Sequence, residues 1–317
     1  MELDLAKICI IVNPVAGKGA GRKAIPEITA CLESLGIDYD LIVTEYPEHA
    51  IVLAEQAGSN GHTTVVAVGG DGTVNEVING LMRAANDHRL TANLAVIPVG
   101  RGNDFSFGMG VPQDLKAACK LLAEGKTRKI DVGLVVGGDY PQGRYFPQGR
   151  YFGNGVGIGF DTIVGFEAAK LPAFISGIPA YLIAAIKTIF LFFNAPHLRI
   201  DIDGAVMEQP CLLVSLMNGK RMGGSFMFAP ESASDDGLIN LCIAHQVTRL
   251  QVLGLFPKVM GGTQADHPAI KMPTGARIKV EALTGSLPVH ADGETICQRG
   301  QSLEVTLLKQ QLQLVCE

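Results

Sequence analysis

The first half of the chain alternates short unbroken apolar runs with stretches whose apolar residues fall at helical spacing. Residues 7–12 (KICIIV), 39–44 (YDLIVT), 64–68 (TVVAV) and 94–99 (LAVIPV) are too short for helices and rich in β-branched residues, which predicts buried strands of the parallel type. Residues 22–35, 47–58 and 116–124 carry helical spacing, with Ile51, Leu53, Ala54 and Ala57 inward in the second and Gly125 ending the third. A further helix follows the third strand, marked by Val74, Val77, Ile78 and Leu81 on one face. Strands that alternate with helices predict a doubly wound parallel sheet, whose ligands lie at the carboxyl ends of the strands. Beyond about Asp131 the pattern changes to short alternating strands broken by Gly, Asp-Gly and Pro, as expected of an antiparallel β-rich domain. The fold class read from this pattern is α/β in two domains, 1–131 and 132–317. Residues 303–315 read as two more strands, able to return to the first domain.

Composition narrows the classes. A chain of 317 residues with 47% hydrophobic content is long enough for two cores and is not disordered. A formal charge of −5 with dispersed basic residues gives no electrostatic case for nucleic acid. The seven cysteines are an odd number without a C-x-x-C pair, which fits reduced, buried thiols in a cytoplasmic protein. At the N-terminus, acids precede the apolar run and Asn13-Pro14 follows it, so the segment reads as a first strand rather than a secretion signal.

The predicted strands open into glycine-rich loops that share one edge. The central one, Gly69-Gly70-Asp71-Gly72-Thr73, stops a strand and starts a helix, leaving backbone N–H groups where the dipole favours an anion. Glycine is required there because a Cβ would keep phosphate oxygens off the backbone. Asp71 would repel bound phosphate unless a divalent cation lay between, so it points to Mg²⁺. The first loop, residues 13–21, matches neither the P-loop nor the dinucleotide spacing. The third is Gly100-Arg101-Gly102-Asn103-Asp104.

The run GGDGTVNEV, with Asn13-Pro14 before it, Gly102-Asn103-Asp104-Phe105 after it and Asp292-Gly293-Glu294 near the end, resembles the diacylglycerol kinase catalytic-domain family of soluble bacterial lipid kinases. The resemblance covers nearly the whole chain. It implies an ATP-dependent, Mg²⁺-requiring lipid kinase of phospholipid metabolism, with the active site in the cleft between the two domains. It places Asn13, Thr44, Gly69, Gly70, Asp71, Gly72, Thr73 and Asn75 on the nucleotide. Where the family usually has a threonine, this chain has Arg101, so a hydroxyl contact would be replaced by a cation. Lys18 would neutralise phosphate charge or join Asp71 and Asp104 in an ion network. A structural Mg²⁺ would be held by Asp236 with the backbone carbonyls of Ala233 and Leu238, a mixed oxygen set that a hard cation accepts. In the turn Asp292-Gly293-Glu294 either acid could receive a proton; the resemblance assigns that role to Glu294 and leaves Asp292 to support the turn or the metal. His290 reads as a strand residue.

The most apolar region, 171–193, is interrupted by Pro172, Gly177, Pro179 and Lys187, so its uncharged run falls short of the roughly 20 residues that a spanning helix needs. Leu182, Ile186, Ile189, Phe190 and Phe193 share one helical face, predicting a helix packed on the second domain. A second reading makes residues 190–193 an exposed lip through which a lipid leaves the membrane, a transient surface contact for a cytoplasmic protein. The immediate repeat of PQGRYF at 141–146 and 147–152 reads as a small duplication lengthening one hairpin loop. Two other functions remain open: an NAD kinase, whose family resembles this one in the Gly-Gly-Asp-Gly-Thr turn, and a non-catalytic lipid or nucleotide sensor. The acceptor is equally open among diacylglycerol, phosphatidylglycerol, a sphingoid base and an isoprenoid alcohol.

Overall fold

A computed structural model describes residues 7–85, 92–138, 149–172, 175 and 178–317. The chain divides into two units, Met1–Val132 with Lys309–Glu317, and Gly133–Leu308. The repeat at 141–152 lies mostly outside the described residues; of it, only 149–152 are placed.

In the first unit the apolar runs form strands and the amphipathic stretches form helices: β1 (Ile8–Val12), α1 (Ala16–Ser34), β2 (Tyr39–Val43), α2 (His49–Ser59), β3 (Thr64–Gly69), α3 (Asp71–Ala84), β4 (Asn93–Pro98), α4 (Asp104–Met109), α5 (Leu115–Glu124) and β5 (Thr127–Gly137). The strands lie parallel in the order β4-β3-β1-β2, so the sequence direction reverses at the β1/β3 neighbour pair, a topological switch point. Every residue of β1 and β3 is buried, as a sheet covered on both faces requires. Ile28, Leu32, Ala118 and Cys119, from α1 and α5, pack on this sheet.

Two details depart from the expected elements. The helix expected from residue 22 is recorded from Ala16, but Gly17, Lys18 and Gly19 take left-handed angles (φ 58°, 60° and 92°), so a tight loop precedes the regular helix. The expected pair of final strands is a single one, Ser302–Val315, in which Gln310 adopts φ 49° and donates its N–H to the buried Asp131 carboxylate at 2.6 Å. The polar Lys309-Gln310-Gln311 holds a kink within one strand. Its end pairs parallel to β4 at Leu314 and Leu94.

The second unit contains β6 (Arg150–Phe152), β7 (Gly155–Gly159), α6 (Phe160–Ala169), α7 (Ile178–Leu191), β8 (His197–Ile202), β9 (Ala205–Met217), β10 (Ile239–His245), α8 (Arg249–Met260), β11 (Ile270–Lys271), β12 (Thr274–Gly275), β13 (Arg277–Ala282), β14 (Leu287–Ala291), β15 (Glu294–Gly300) and β16, the final strand already described. It is antiparallel throughout its paired strands. Strand β9 serves two ladders, pairing with β8 over its first half and with β7 and β10 over its second. Side chains of β8, β13 and β16 meet those of β7, β10 and β14 in one core that includes Ile158, Ile200, Val214, Ile278, Val289 and Leu303. On the other face of the β7-β9-β10 ladder, Phe160, Ala185, Ile189, Leu212 and Leu255 form a second core under the helices. Burial pushes the Cys9 and Cys211 thiols up to about 11 and those of Cys119 and Cys242 to about 12.

Candidate functional site

Three loops at the carboxyl ends of β1, β3 and β4 are tied to one another. Asn13 Nδ2 donates to Thr73 Oγ1 at 3.0 Å, joining the first loop to the second. The second and third touch through bare backbone: a Cβ on Gly100 would stand 2.4 Å from Gly70 Cα, and one on Gly17 would stand 2.1 Å from the Val99 carbonyl. Glycine is therefore required at 100 and at 17. Gly70 precedes α3 and Asp71 is its first residue, so the helix N-terminus opens at the glycine loop. Asp71 Oδ1 accepts the Phe105 N–H at 2.9 Å, which fixes the start of α4. A Cβ on Gly102 would stand 3.0 Å from Asp71 Oδ2 and 3.5 Å from Asp104 Oδ2, so the two carboxylates flank one point. Two carboxylates so placed repel unless a proton or a cation lies between them. Beside them, the buried Asn103 Oδ1 has no hydrogen-bond partner among the described residues. Glycines that a Cβ would close leave room for a phosphate group, and the paired acids with the Asn103 oxygen are the groups that could hold a divalent cation beside it.

The other expected nucleotide contacts are placed as follows. Thr44 follows β2, its N–H donating to the Val12 carbonyl at 2.9 Å. Arg101 and Lys18 are exposed on the third and first loops, and Thr73 is buried behind Gly69. Asn75 is fully buried one turn into α3, where its Oδ1 accepts from Asn79 Nδ2 at 3.3 Å. The short helix α4, begun by Asp104 after the left-handed Asn103 (φ 51°), was not legible in the sequence, because six residues are too few for a periodicity.

In the second unit the three Asp-Gly pairs differ. Asp203-Gly204 and Asp292-Gly293 both take left-handed angles (φ 50° and 92°, 48° and 85°) and close two-residue hairpins, β8 to β9 and β14 to β15. Asp236-Gly237 closes no hairpin. It ends the long loop before β10, where Asp236 Oδ1 accepts the Leu238 N–H at 2.8 Å, and Ala233, Asp236 and Leu238 are all exposed. One carboxylate with neighbouring carbonyls is an all-oxygen set suited to a hard cation.

The hairpin at Asp292 is held from below. Asp292 is buried, and its carboxylate accepts the N–H groups of Gly153 (2.8 Å), Asn154 (3.0 Å) and Gly155 (2.8 Å). Glu294, two residues on, is half-buried at the start of β15. The acids are thus in different states: one has its oxygens engaged by backbone donors, and the other lies at the rim of the turn.

Helix α7 overturns one expectation. Leu182, Ile186 and Phe190 do not face the core; they are exposed, with Ile183, Leu191 and Phe192. The buried stripe is Ala184, Ala185, Thr188 and Ile189, with Phe193 packed at its end. An all-round apolar helix has no single face for periodicity to pick. The same rotation brings Lys187 to the Glu167 carboxylate of α6 at 2.5 Å; Lys170 lies 2.6 Å from the same group, and the hydrogen bonds from Lys170 and then Lys187 hold that carboxyl below the usual range. Among the described residues no helix is long and apolar enough to cross a membrane.

Residues 7–135 match the family model described as diacylglycerol kinase catalytic domain, and 154–316 match the YegS C-terminal NAD kinase beta sandwich-like domain. Diacylglycerol kinases of Staphylococcus aureus strains bovine RF122 / ET3-1 and Newman are 30% identical over 294 residues, covering 90% of this chain and 85% of theirs. A crystal structure of a candidate diacylglycerol kinase from Bacillus anthracis str. Sterne is similar over 100% of this chain and 99% of that one, with 26% identity and a TM-score of 0.76. The yeast NADH kinase complexed with NADH shares the fold at 12% identity and a TM-score of 0.52, covering 100% of this chain and 84% of that one.

Proposed function

Because the chain belongs to the diacylglycerol kinase catalytic-domain family and is a kinase, we propose that it transfers the γ-phosphoryl group of ATP to the hydroxyl of a lipid such as diacylglycerol. The observation that carries this reading is the glycine-lined cradle in which Asp71 and Asp104 flank one point. Asn13 and Thr73 brace the cradle, and the α3 N-terminus offers N–H groups to phosphate. Lys18 and Arg101 add positive charge at its margin. Mg²⁺ held by Asp71 and Asp104 would screen the phosphate oxygens and stabilise charge as the phosphoryl group moves. A second Mg²⁺, held by Asp236, Ala233 and Leu238, would brace the loop before β10. Glu294 takes the proton of the lipid hydroxyl as its oxygen forms a bond to phosphorus and the bond to ADP breaks.

Incubation with γ-labelled ATP, a total lipid extract and NAD, followed by mass spectrometry of the labelled product, tests this. A phosphorylated lipid is expected. Label in NADP would favour an NAD kinase, and nucleotide binding with no labelled product would favour a sensor.

The exposed face of α7 is the proposed membrane contact. Phe190 and Leu191 are 63% and 66% exposed, Leu250 and Leu253 on α8 are exposed too, and Arg249 stands over the Phe193 ring at 5.6 Å. Apolar side chains beside a cation suit an anionic lipid surface. Phe190→Ser with Leu191→Ser should lower vesicle affinity in co-sedimentation with phosphatidylglycerol by roughly a hundredfold, as expected when two apolar side chains that enter the lipid, at about 1.5 kcal/mol each, are lost. Unchanged co-sedimentation would remove α7 from the contact.

A further inference from the structure

We propose that Asp161 and His290 position the turn that carries Glu294, so that neither is a bystander in its strand or helix. The inference rests on the reading of Glu294 as proton acceptor. His290 lies on β14, buried to within 8% of its surface, and its Nδ1 accepts the Gly293 N–H at 3.2 Å. A ring nitrogen that accepts cannot carry a proton, so this contact assigns the ring hydrogen to Nε2. That Nε2 stands 3.7 Å from Oδ2 of Asp161, on the first turn of α6. The distance is beyond a hydrogen bond, yet the negative charge still favours a ring hydrogen on its side.

The surroundings show a built arrangement. Both Asp161 oxygens are buried with no hydrogen-bond partner among the described residues, an expensive state for a carboxyl that only packs. Directly across the ladder from His290 is Gly157. A Cβ there would stand 2.1 Å from Asp161 Oδ2 and 2.4 Å from His290 Nε2, so the missing side chain is what lets carboxylate and imidazole face each other. The two ends of the turn are then fixed from opposite sides: Asp292 by the amides of Gly153, Asn154 and Gly155, and Gly293 by His290. Glu294 is the next residue. A carboxylate on a turn free to rotate would spend little time at the geometry a proton transfer needs, and displacement of about 1 Å can cost about 10²-fold. His290 therefore acts through the Gly293 amide without touching substrate, and Asp161 acts through His290.

Three substitutions separate positioning from packing. His290→Ala removes the acceptor. His290→Asn keeps an oxygen near the position of Nδ1, whereas His290→Gln carries its amide toward Nε2. His290→Ala and His290→Gln should lower kcat at least tenfold with KM for ATP within twofold, and should speed amide hydrogen exchange at 291–294 in the folded protein. His290→Asn should restore most of both. The ¹⁵N shifts of the ring should place the proton on Nε2 in the wild type, and Asp161→Asn, which removes the negative charge on that side, should weaken that preference. A His290→Ala enzyme within threefold of wild type, Asn no better than Gln, or a wild-type proton on Nδ1 would overturn the proposal. Glu294→Gln run in parallel distinguishes the two failures: if it stays active, the proton-acceptor reading is wrong, while the exchange and ¹⁵N readouts still decide whether His290 holds the turn.

Discussion

Asp71→Asn should leave the protein folded and lower phosphoryl transfer by about 10²-fold or more, the size expected when a charge that organises the transferring group is lost. The two outcomes separate because the side chain does two things. Its Oδ1 accepts the Phe105 N–H, a role the amide oxygen of asparagine keeps. Its charge, facing the like charge of Asp104 across Gly102, is what a divalent cation would answer, and asparagine drops it. Asp236→Ala should show the reverse pattern: a lower melting temperature in Mg²⁺ and a smaller rise on adding Mg²⁺, since metal bound only by the native state stabilises it by linkage. Calorimetry and steady-state kinetics on both variants check this. Near wild-type turnover in Asp71→Asn would sink the cradle reading, and melting indifferent to Mg²⁺ in wild type and Asp236→Ala alike would sink the second cation.

Glu294→Gln should reduce turnover at least tenfold with ATP affinity nearly unchanged. A positioned base contributes about 10²–10⁴-fold, and glutamine matches glutamate in size without accepting the proton. Asp292→Asn should differ in kind. An amide cannot serve the three N–H donors of Gly153, Asn154 and Gly155 as a carboxylate does, because one of its heavy atoms is itself a donor. Its loss should appear first as lower stability, by about 1–3 kcal/mol for a buried donor left unmade. An active Glu294→Gln beside a folded, inactive Asp292→Asn would transfer the proton-acceptor role to Asp292.

The doubly wound half was legible because each feature is local: a short β-branched run such as Val65–Val68 reads as a covered strand, and the glycines after it mark the change from strand to helix. The Asp-Gly hairpin at 292 was legible for the same reason. What escaped were matters settled by distant partners. The buried side of α7 is the one that packs Ala184, Ala185 and Ile189 on the second core and lets Lys187 reach Glu167, twenty positions earlier. Asp131 turns an apparent break at Gln310 into a kink from 179 positions away. Asp161, Gly157 and His290 look like a weak glycine run and a strand residue until the β7/β14 register sets them face to face.

The last stretch of β16 has a consequence for how the molecule is made. Until Leu314 reaches Leu94, β4 is the open edge of the first unit's parallel sheet. A chain growing from its N-terminus has thus emitted all three glycine loops before the strand that closes that edge exists. Closing it joins segments about 220 positions apart, the kind of late, entropically slow pairing that leaves an edge exposed in the meantime. The sheet that the first hundred residues begin is thus completed only by the last residues of the chain.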